Sequence, residues 1–326
     1  MKAVTFNGAG GNDIVAVQDR PTPEPVGEEV LVRIRYAGIN PADVMQREGN
    51  YPPPPGAPQD IPGLEICGEV IACGERAQRW SPGDRVFGLL AGGGLADHAV
   101  VHQGSVTRVP DVLDEREAAA VPQAFITAHD AIRSQAGLTM GETLLVHGAT
   151  GGVGTAAIQI GLTTGARVLG VTRSDEGRSL VTELGAQPID DANFAAEVGE
   201  ATQGKGADVI LELIGAPHFP GNLEALAVKG RIIVVGVGGG ASTEVALMGL
   251  MIKRATLRGT VLRGRSIEEK ALVVQAFERE VLPHIASGAM RPLVDRTFPV
   301  NDITEAFDYM AAPGKRGKVL LDLGDA

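Results

Sequence analysis

Residues 144–157 read Leu-Leu-Val-His-Gly-Ala-Thr-Gly-Gly-Val-Gly-Thr-Ala-Ala, and no other stretch restricts the possible fold of this chain as much. An apolar strand runs into a glycine-rich turn that opens directly into a helix. The turn sets Ala149, Gly151 and Gly154 in the register of a dinucleotide fingerprint. Gly151 lets the backbone approach a pyrophosphate, and Gly154 lets the new helix pack closely on its strand. The helix N-terminus adds free amides and a partial positive charge. Glycine spacing alone is weak evidence; the strand before it and the helix after it give it weight. A tight structural turn that binds nothing is the competing reading.

From about residue 140 the chain alternates apolar strands with amphipathic helices over Thr143–His147, Val153–Thr163, Arg167–Val171, Asp175–Leu184, Asp208–Leu213, Leu223–Ala227 and Arg231–Val235. That alternation predicts a doubly wound parallel sheet, and the nearly all-apolar strands require helices on both faces. The first third differs. Glu29–Tyr36 alternates with period two, as a half-buried strand does, and short strand-like runs recur to about Val109. Pro52–Pro55 with Gly56 enters neither helix nor paired strand and reads as a rigid exposed connection. A long helix is expected near Ser266–Ser287 and a last strand at Lys318–Leu323, with the C-terminal tail returning to the first domain.

Composition removes whole classes of function. At 326 residues the chain is long enough for two domains with cores of their own. A formal charge of -11, with no basic block, argues against nucleic acid or an anionic membrane surface as partner. No apolar run is long enough for a membrane span, and the N-terminus lacks the pattern of a secretory signal, so cytoplasmic residence is the default expectation. Cys67 and Cys73 are the only cysteines and read as free thiols in a reducing compartment. The six histidines lie scattered along the sequence without ligand spacing, and no metal site is expected.

Cofactor preference is read at the end of the second strand, where Asp or Glu recognises a ribose 2′-hydroxyl. Here that end is Gly170-Val171-Thr172-Arg173-Ser174, without a carboxylate at its tip. Arg173 and Ser174, with Arg178 a turn further, suit a 2′-phosphate, which favours NADPH. Against this, the arginines are equally readable as solvated charges and Ser174 or Asp175 as a helix cap; Asp175 within reach of a 2′-hydroxyl would keep NADH usable. Two later clusters, Gly215 within Ile214–Ala216 and Val235, Gly236 and Val237 leading into Gly238–Gly240, follow strands and are expected at the nicotinamide end. Ordinary strand-to-helix turns are the alternative.

Taken together, Gly148–Gln159 resembles the quinone oxidoreductase version of the medium-chain dehydrogenase/reductase fingerprint. Asn40–Pro52, Pro62–Glu65 with Gly68–Val70, and Gly83–Val86 resemble that family's N-terminal domain. Ala91–Ala96 and Leu282–His284 are similar to the tumour-suppressor-inducible branch of it. The resemblance implies an α/β chain: a GroES-like β-rich catalytic domain from residues 1–123 and 263–326, and a Rossmann domain from 124–262, with the active site in the cleft. Zinc-using relatives carry Cys where this chain has Asn40 and Gly-His-Glu where it has Gly63-Leu64-Glu65, so the reaction is expected to run without a metal. By the same resemblance, Asn40, Tyr51 and Thr127 border nicotinamide and substrate, and Gly152 and Val153 contact the pyrophosphate. Leu262, Arg263, Gly317 and Lys318 match later cofactor contacts more loosely. Relatives carry Tyr near the adenosine where this chain has Ile189-Asp190-Asp191, and an acid there would weaken NADPH preference.

The implied activity is NADPH-dependent hydride transfer to a quinone. Tyr51 is the first candidate to donate a hydrogen bond to the substrate oxygen, with water as an alternative and an aromatic lid as its other role. Asn40 either orients the nicotinamide carboxamide or ties down the turn before Pro41. Reduction of an enone, enal or enoyl thioester is the nearest rival, for which Arg254, Arg258, Arg263 and Arg265 would offer a basic groove. A non-catalytic NADPH-binding redox sensor is the rival of another class. Relatives pair through the Rossmann sheet edge, so a homodimer through Leu257–Thr260 is expected.

Overall fold

The structure, a computed structural model, describes residues 1–324. The chain divides into two compact units, one made of Met1–Ile126 with the described residues from Leu262 onward, the other of Thr127–Val261.

The first unit begins with β1 (Lys2–Phe6), β2 (Val15–Asp19), β3 (Glu29–Ile39), β4 (Glu65–Cys73), β5 (Arg85–Leu89), β6 (His98–His102) and β7 (Val106–Arg108). The second unit holds β8 (Thr143–Val146), β9 (Arg167–Thr172), β10 (Gln187–Asp190), β11 (Ala207–Glu212), β12 (Leu226–Val234) and β13 (Thr256–Gly259). The chain then returns to the first unit with β14 (Val294–Pro299) and β15 (Lys318–Asp322).

In the first unit β3 is the organising strand. It pairs with β4, with β6 over Glu29–Arg33, and with β15 over Tyr36–Ile39. Helices Glu115–Ala119 and Ile303–Ala311 pack against it. This double cover explains why Val30, Leu31 and Val32 are all buried, where strict alternation would leave Leu31 outside. The core gathers Val30, Val32, Ile34, Ile66, Val86, Phe298, Phe307 and Leu321. Gly317 takes φ +101°, and a Cβ there would lie 2.4 Å from the carbonyl of Leu293, so only glycine leads the chain into β15.

The second unit is one parallel sheet in the order β10-β9-β8-β11-β12-β13. Its helices include Gly152–Thr163, Asp175–Glu183 and Phe194–Ala201. The order reverses between β8 and β11, so the ends of those strands form the switch point where a doubly wound sheet takes its ligand. Two expectations need correction. The helix read at Leu223–Ala227 lies at Phe219–Ala225, started early by Pro220, and Leu226–Ala227 already belongs to β12. The long helix near Ser266–Ser287 is two helices, Ile267–Glu280 and Leu282–Ala286. Pro283 has no N–H to continue the first helix, but its fixed φ suits the first turn of the second. The strand β10 and helix Phe194–Ala201 were not read from the sequence at all.

A Cβ at Gly154 would lie 2.3 Å from the Gly148 carbonyl and 2.8 Å from Ala149 Cα, all backbone that cannot swing aside. Gly154→Ala should therefore destabilise the protein by roughly 1–3 kcal/mol through overpacking, against alanine's helix-propensity advantage of ~1 kcal/mol. Urea unfolding checks this; a variant as stable as wild type would mean that the turn relaxes.

Candidate functional site

The first unit carries a buried polar cluster at the end of β3. Glu65, the first residue of β4, is fully buried; its Oε1 accepts from Lys318 Nζ at 2.5 Å and Asn40 Nδ2 at 2.9 Å, and its Oε2 from the Gln123 amide at 2.8 Å. Lys318 also donates to Asn40 Oδ1 at 2.5 Å. The remaining Asn40 amide hydrogen goes to the Gly38 carbonyl at 3.3 Å. Gly38 makes this possible, since a Cβ there would stand 2.0 Å from Glu65 Oε1. Asn40 is thus held by Gly38, Glu65, Lys318 and Asp43. Asp43, two residues into helix Pro41–Arg47, accepts from the amides of Asn40 at 2.8 Å and Gly63 at 3.0 Å. Burial pushes its carboxyl up to about 6, although both amides and the Arg263 and Lys318 charges pull the other way.

Arg263 closes the same side of the unit. Its guanidinium donates to Gln46 Oε1 at 2.5 Å, the Tyr51 carbonyl at 3.0 Å and the Ala91 carbonyl at 2.8 Å, and it lies 5.1 Å from the Tyr51 ring centroid. Arg263 therefore fixes the proline-rich segment instead of presenting a free charge. Leu262 beside it is buried. Asn40, Tyr51, Arg263, Gly317 and Lys318 belong to this one unit; Thr127 opens the other, with a buried hydroxyl that has no hydrogen-bond partner among the described residues.

In the second unit the turn after β8 leaves backbone donors uncapped at a helix start. Gly151 is the N-cap of helix Gly152–Thr163 and no side chain caps that helix, leaving the first-turn amides of Gly152, Val153 and Gly154 available. Ala149 is fully buried beneath the turn. A Cβ at Gly151 would meet only the Gly148 carbonyl, at an ordinary 3.5 Å, so the protein itself does not require glycine there. A pyrophosphate lying against the turn would. The residues present fit the phosphates of a dinucleotide.

Glu212, the buried last residue of β11, gathers the later glycine loops. Its Oε1 accepts from the amides of Ile214 at 2.6 Å and Gly215 at 2.8 Å, while its carbonyl accepts from Val235 and Gly236. Gly215 bridges to Gly240, and Val237 starts the turn that Gly240 closes. Asn222 donates to Glu212 Oε2 at 2.6 Å and lies 2.6 Å from His147 Nε2. His218 stacks on His147 at 4.4 Å, 3.9 Å from Glu212 and 3.0 Å from Asp191. Burial holds His147 down at about 4, neutral; burial also opposes charge on His218, but Glu212 and Asp191 outweigh it and raise its pKa. Glu212 falls to about 2, because His218, His147 and the loop amides outweigh its burial.

These histidines are thus not scattered in space: ligand atoms of His147, Glu212 and His218 lie within 4.8 Å of one another. Nε2 of His147 is committed to Asn222 and three donors occupy the Glu212 carboxylate, while Nδ1 of His147 and of His218 have no hydrogen-bond partner among the described residues. Sequence reasoning missed Glu212; its signal is a charge ending the apolar run Val209–Leu211.

Beyond the end of β9, Ser174 caps helix Asp175–Glu183 by accepting from Gly177, and Arg178 is ion-paired with Asp190 and more loosely with Asp175. Arg173 is exposed and carries no side-chain bond among the described residues. Asp191 is engaged by His218.

A GroES-like β unit with a buried charged cluster and a Rossmann unit with an uncapped glycine turn define an oxidoreductase that binds a nicotinamide dinucleotide. Residues 27–111 match the alcohol dehydrogenase GroES-like domain family and residues 152–279 the zinc-binding dehydrogenase family. A quinone oxidoreductase of Lama guanicoe is 32% identical over 328 residues, covering 98% of this chain and 97% of that protein. Among solved structures, a mycobacterial protein complexed with NADPH superposes with TM-score 0.88 at 29% identity, covering 98% of this chain and 99% of that one. The CurK enoyl reductase superposes with TM-score 0.86 at 26% identity over 98% of each chain. The chain belongs to the quinone oxidoreductase family of the medium-chain dehydrogenase/reductase superfamily.

Asp43 gives this site a pH signature. Its folded value of about 6 lies above the ordinary 3.8, so the native state binds the proton more tightly and this group's contribution falls as pH rises between those values. Asp43→Asn, which is neutral throughout, should gain on wild type by up to about 3 kcal/mol between pH 4 and pH 7. Urea midpoints of both proteins across that range measure it; a constant difference would show that Asp43 ionises normally.

Proposed function

We propose that this protein is an NADPH-dependent reductase that transfers hydride to a quinone without a catalytic metal. The observation that carries the reading is the Lys318 ammonium, held 2.5 Å from both Glu65 and Asn40. Asn40 and Leu64 offer neither thiolate nor imidazole, and a metal ion would have to displace a buried cation that already neutralises Glu65. When bound, the dinucleotide supplies the hydride. The chain fixes its phosphates at Gly151–Gly154, frames its nicotinamide end with the loops tied to Glu212, and presents the acceptor beside Tyr51, Asn40 and Lys318.

NADPH is favoured because β9 ends without a carboxylate, Arg173 is unengaged among the described residues, and Asp190 and Asp191 are paired with Arg178 and His218; Asp175, exposed and only loosely paired with Arg178, is the acid that would keep NADH usable. The likeness to a mycobacterial protein complexed with NADPH supports the same preference. The likeness to an enoyl reductase supports enone reduction as a second reading. The deciding experiment is oxidation of NADPH and of NADH by chelator-treated protein with 1,4-naphthoquinone, an ortho-quinone and an enone. Quinone turnover with NADPH is expected; activity only with the enone would shift the assignment, and binding without turnover would leave a sensor. No helix among the described residues is long and apolar enough to cross a membrane.

Arg173→Ala should lower kcat/KM for NADPH by ~10- to 100-fold, the worth of a charge-assisted hydrogen bond to phosphate, while NADH is unaffected. Arg178→Ala should cost less, because that guanidinium is already shared. Equal losses with both cofactors would remove Arg173 from phosphate recognition.

A second copy of this chain is proposed at the β13 edge. Thr256–Gly259 is exposed along its whole length, and helix Leu247–Lys253 beside it exposes Leu247, Met248, Met251 and Ile252 by 63–70%. Leu257→Lys with Met251→Lys should turn a dimer into a monomer in light scattering; wild type already monomeric would overturn this.

A further inference from the structure

The oxygen that takes up charge during reduction needs a donor, and the cluster leaves few. Asn40 has both amide hydrogens engaged, Glu65 and Asp43 are acceptors, and three of the five Arg263 N–H groups donate to oxygen atoms of its own unit. The remaining donors are the Tyr51 hydroxyl, two Arg263 N–H groups, Lys318, and the buried Gln46 Nε2 and Thr127 hydroxyl, which have no partner among the described residues; a guanidinium and an aliphatic hydroxyl are too weakly acidic to give up a proton here. An amide does not give up its proton. Tyr51 is only half-buried, so water reaches it, and its ring lies 5.1 Å from the Arg263 guanidinium; burial raises its pKa, although the Arg263 charge partly opposes this. Lys318 has three N–H donors, two of them taken by Glu65 and Asn40. Its side chain is 7% exposed, so a positive charge stands fixed in a site where little water competes for it.

We propose that Lys318 is the general acid of this enzyme, donating its third N–H to the carbonyl oxygen of a conjugated acceptor and transferring that proton as the acceptor is reduced. The assignment rests on the reductase reading above and assigns the donor role to Lys318 in place of Tyr51. The acceptor gains two electrons and a hydrogen as hydride from the reduced dinucleotide, and its π electrons move onto oxygen. The N–H bond of Lys318 breaks, the O–H bond forms, and a neutral amine is left beside Glu65. That carboxylate then favours uptake of a proton from water, restoring the ammonium. Strongly electrophilic quinones scarcely need such an acid, whereas acceptors that yield a more basic oxygen do. The site is therefore built for conjugated carbonyls beyond the most easily reduced quinones.

The test compares wild type with Lys318→Met and with the charge-balanced Lys318→Met/Glu65→Gln, which leaves no buried charge unpaired should the single variant fail to fold. kcat/KM is measured over substituted 1,4-naphthoquinones and enones ordered by the basicity of the reduced oxygen. The expected loss is small for the most electrophilic quinone and reaches ~10²- to 10⁴-fold for the enones, with the NADPH Kd, read by fluorescence, unchanged. A second readout needs no turnover. With oxidised dinucleotide bound, wild type should shift the ionisation of added 4-nitrophenol to lower pH, seen in its phenolate absorbance, and the variants should not. An equal loss for every acceptor, a weakened NADPH Kd as for a cofactor contact, or the same phenolate transition in wild type and variants would each overturn the assignment to Lys318. Wild type without turnover on any acceptor would instead overturn the reductase reading, and the acid role with it.

Discussion

The first unit depends on the contact between Lys318 and Glu65. Neither charge is tolerable there alone: removing one partner of a buried pair strands the other at a cost of about 3–5 kcal/mol. Yet a well-packed apolar pair would often serve stability as well, so the ion pair is better explained by what it presents than by what it stabilises. Its surroundings are arranged to keep it. Gly38 leaves the volume that Glu65 occupies, Asn40 bridges carboxylate and ammonium, and Gly317 in a left-handed conformation leads the chain to the lysine. Substitution at any of these five positions would be felt at the other four.

The Rossmann unit uses a buried carboxylate in a comparable way but for another purpose. Glu65 stands at the first residue of its strand and Glu212 at the last of its own. Glu65 holds a cation, whereas Glu212 accepts mostly neutral backbone amides and so shapes a loop. His218 between Glu212 and Asp191 links that loop to the end of β10 on the adenosine side. One hydrogen-bonded chain thus spans the ends of β10, β8 and β11, the row along which a dinucleotide lies in a doubly wound sheet.

The Rossmann half of the fold was legible because it rests on local patterns, alternating apolar strands and helices and a glycine turn whose neighbours identify it; the GroES-like half, made from both ends of the chain, was legible only through the family resemblance. Elements went astray where a local signal competed with a longer one. Pro220 starts its helix four residues before the periodic stretch read there, and the long periodicity through Ser287 hid the break that Pro283 imposes. The site was legible as separate residues. Asn40, Tyr51, Arg263 and Lys318 were all singled out, but not their joint arrangement. Nothing in a sequence announces that a lysine will be buried against a glutamate on another strand, or that His147 and His218 will stack. Arg263 reads as a free charge until the three oxygen atoms around it are seen.

The bond from Lys318 to Asn40 spans 278 residues, with the whole Rossmann unit between them. A chain emerging from the ribosome exposes β8 to β13 before β15 exists, and domains fold largely as units in the order they appear. The nucleotide-binding unit can close early, while β3 still lacks its strand partner over Tyr36–Ile39 and Glu65 still lacks its counter-charge. Catalytic competence is therefore the last property the nascent chain acquires. Chains truncated before β15 would retain the nucleotide-binding sheet but never assemble the acid.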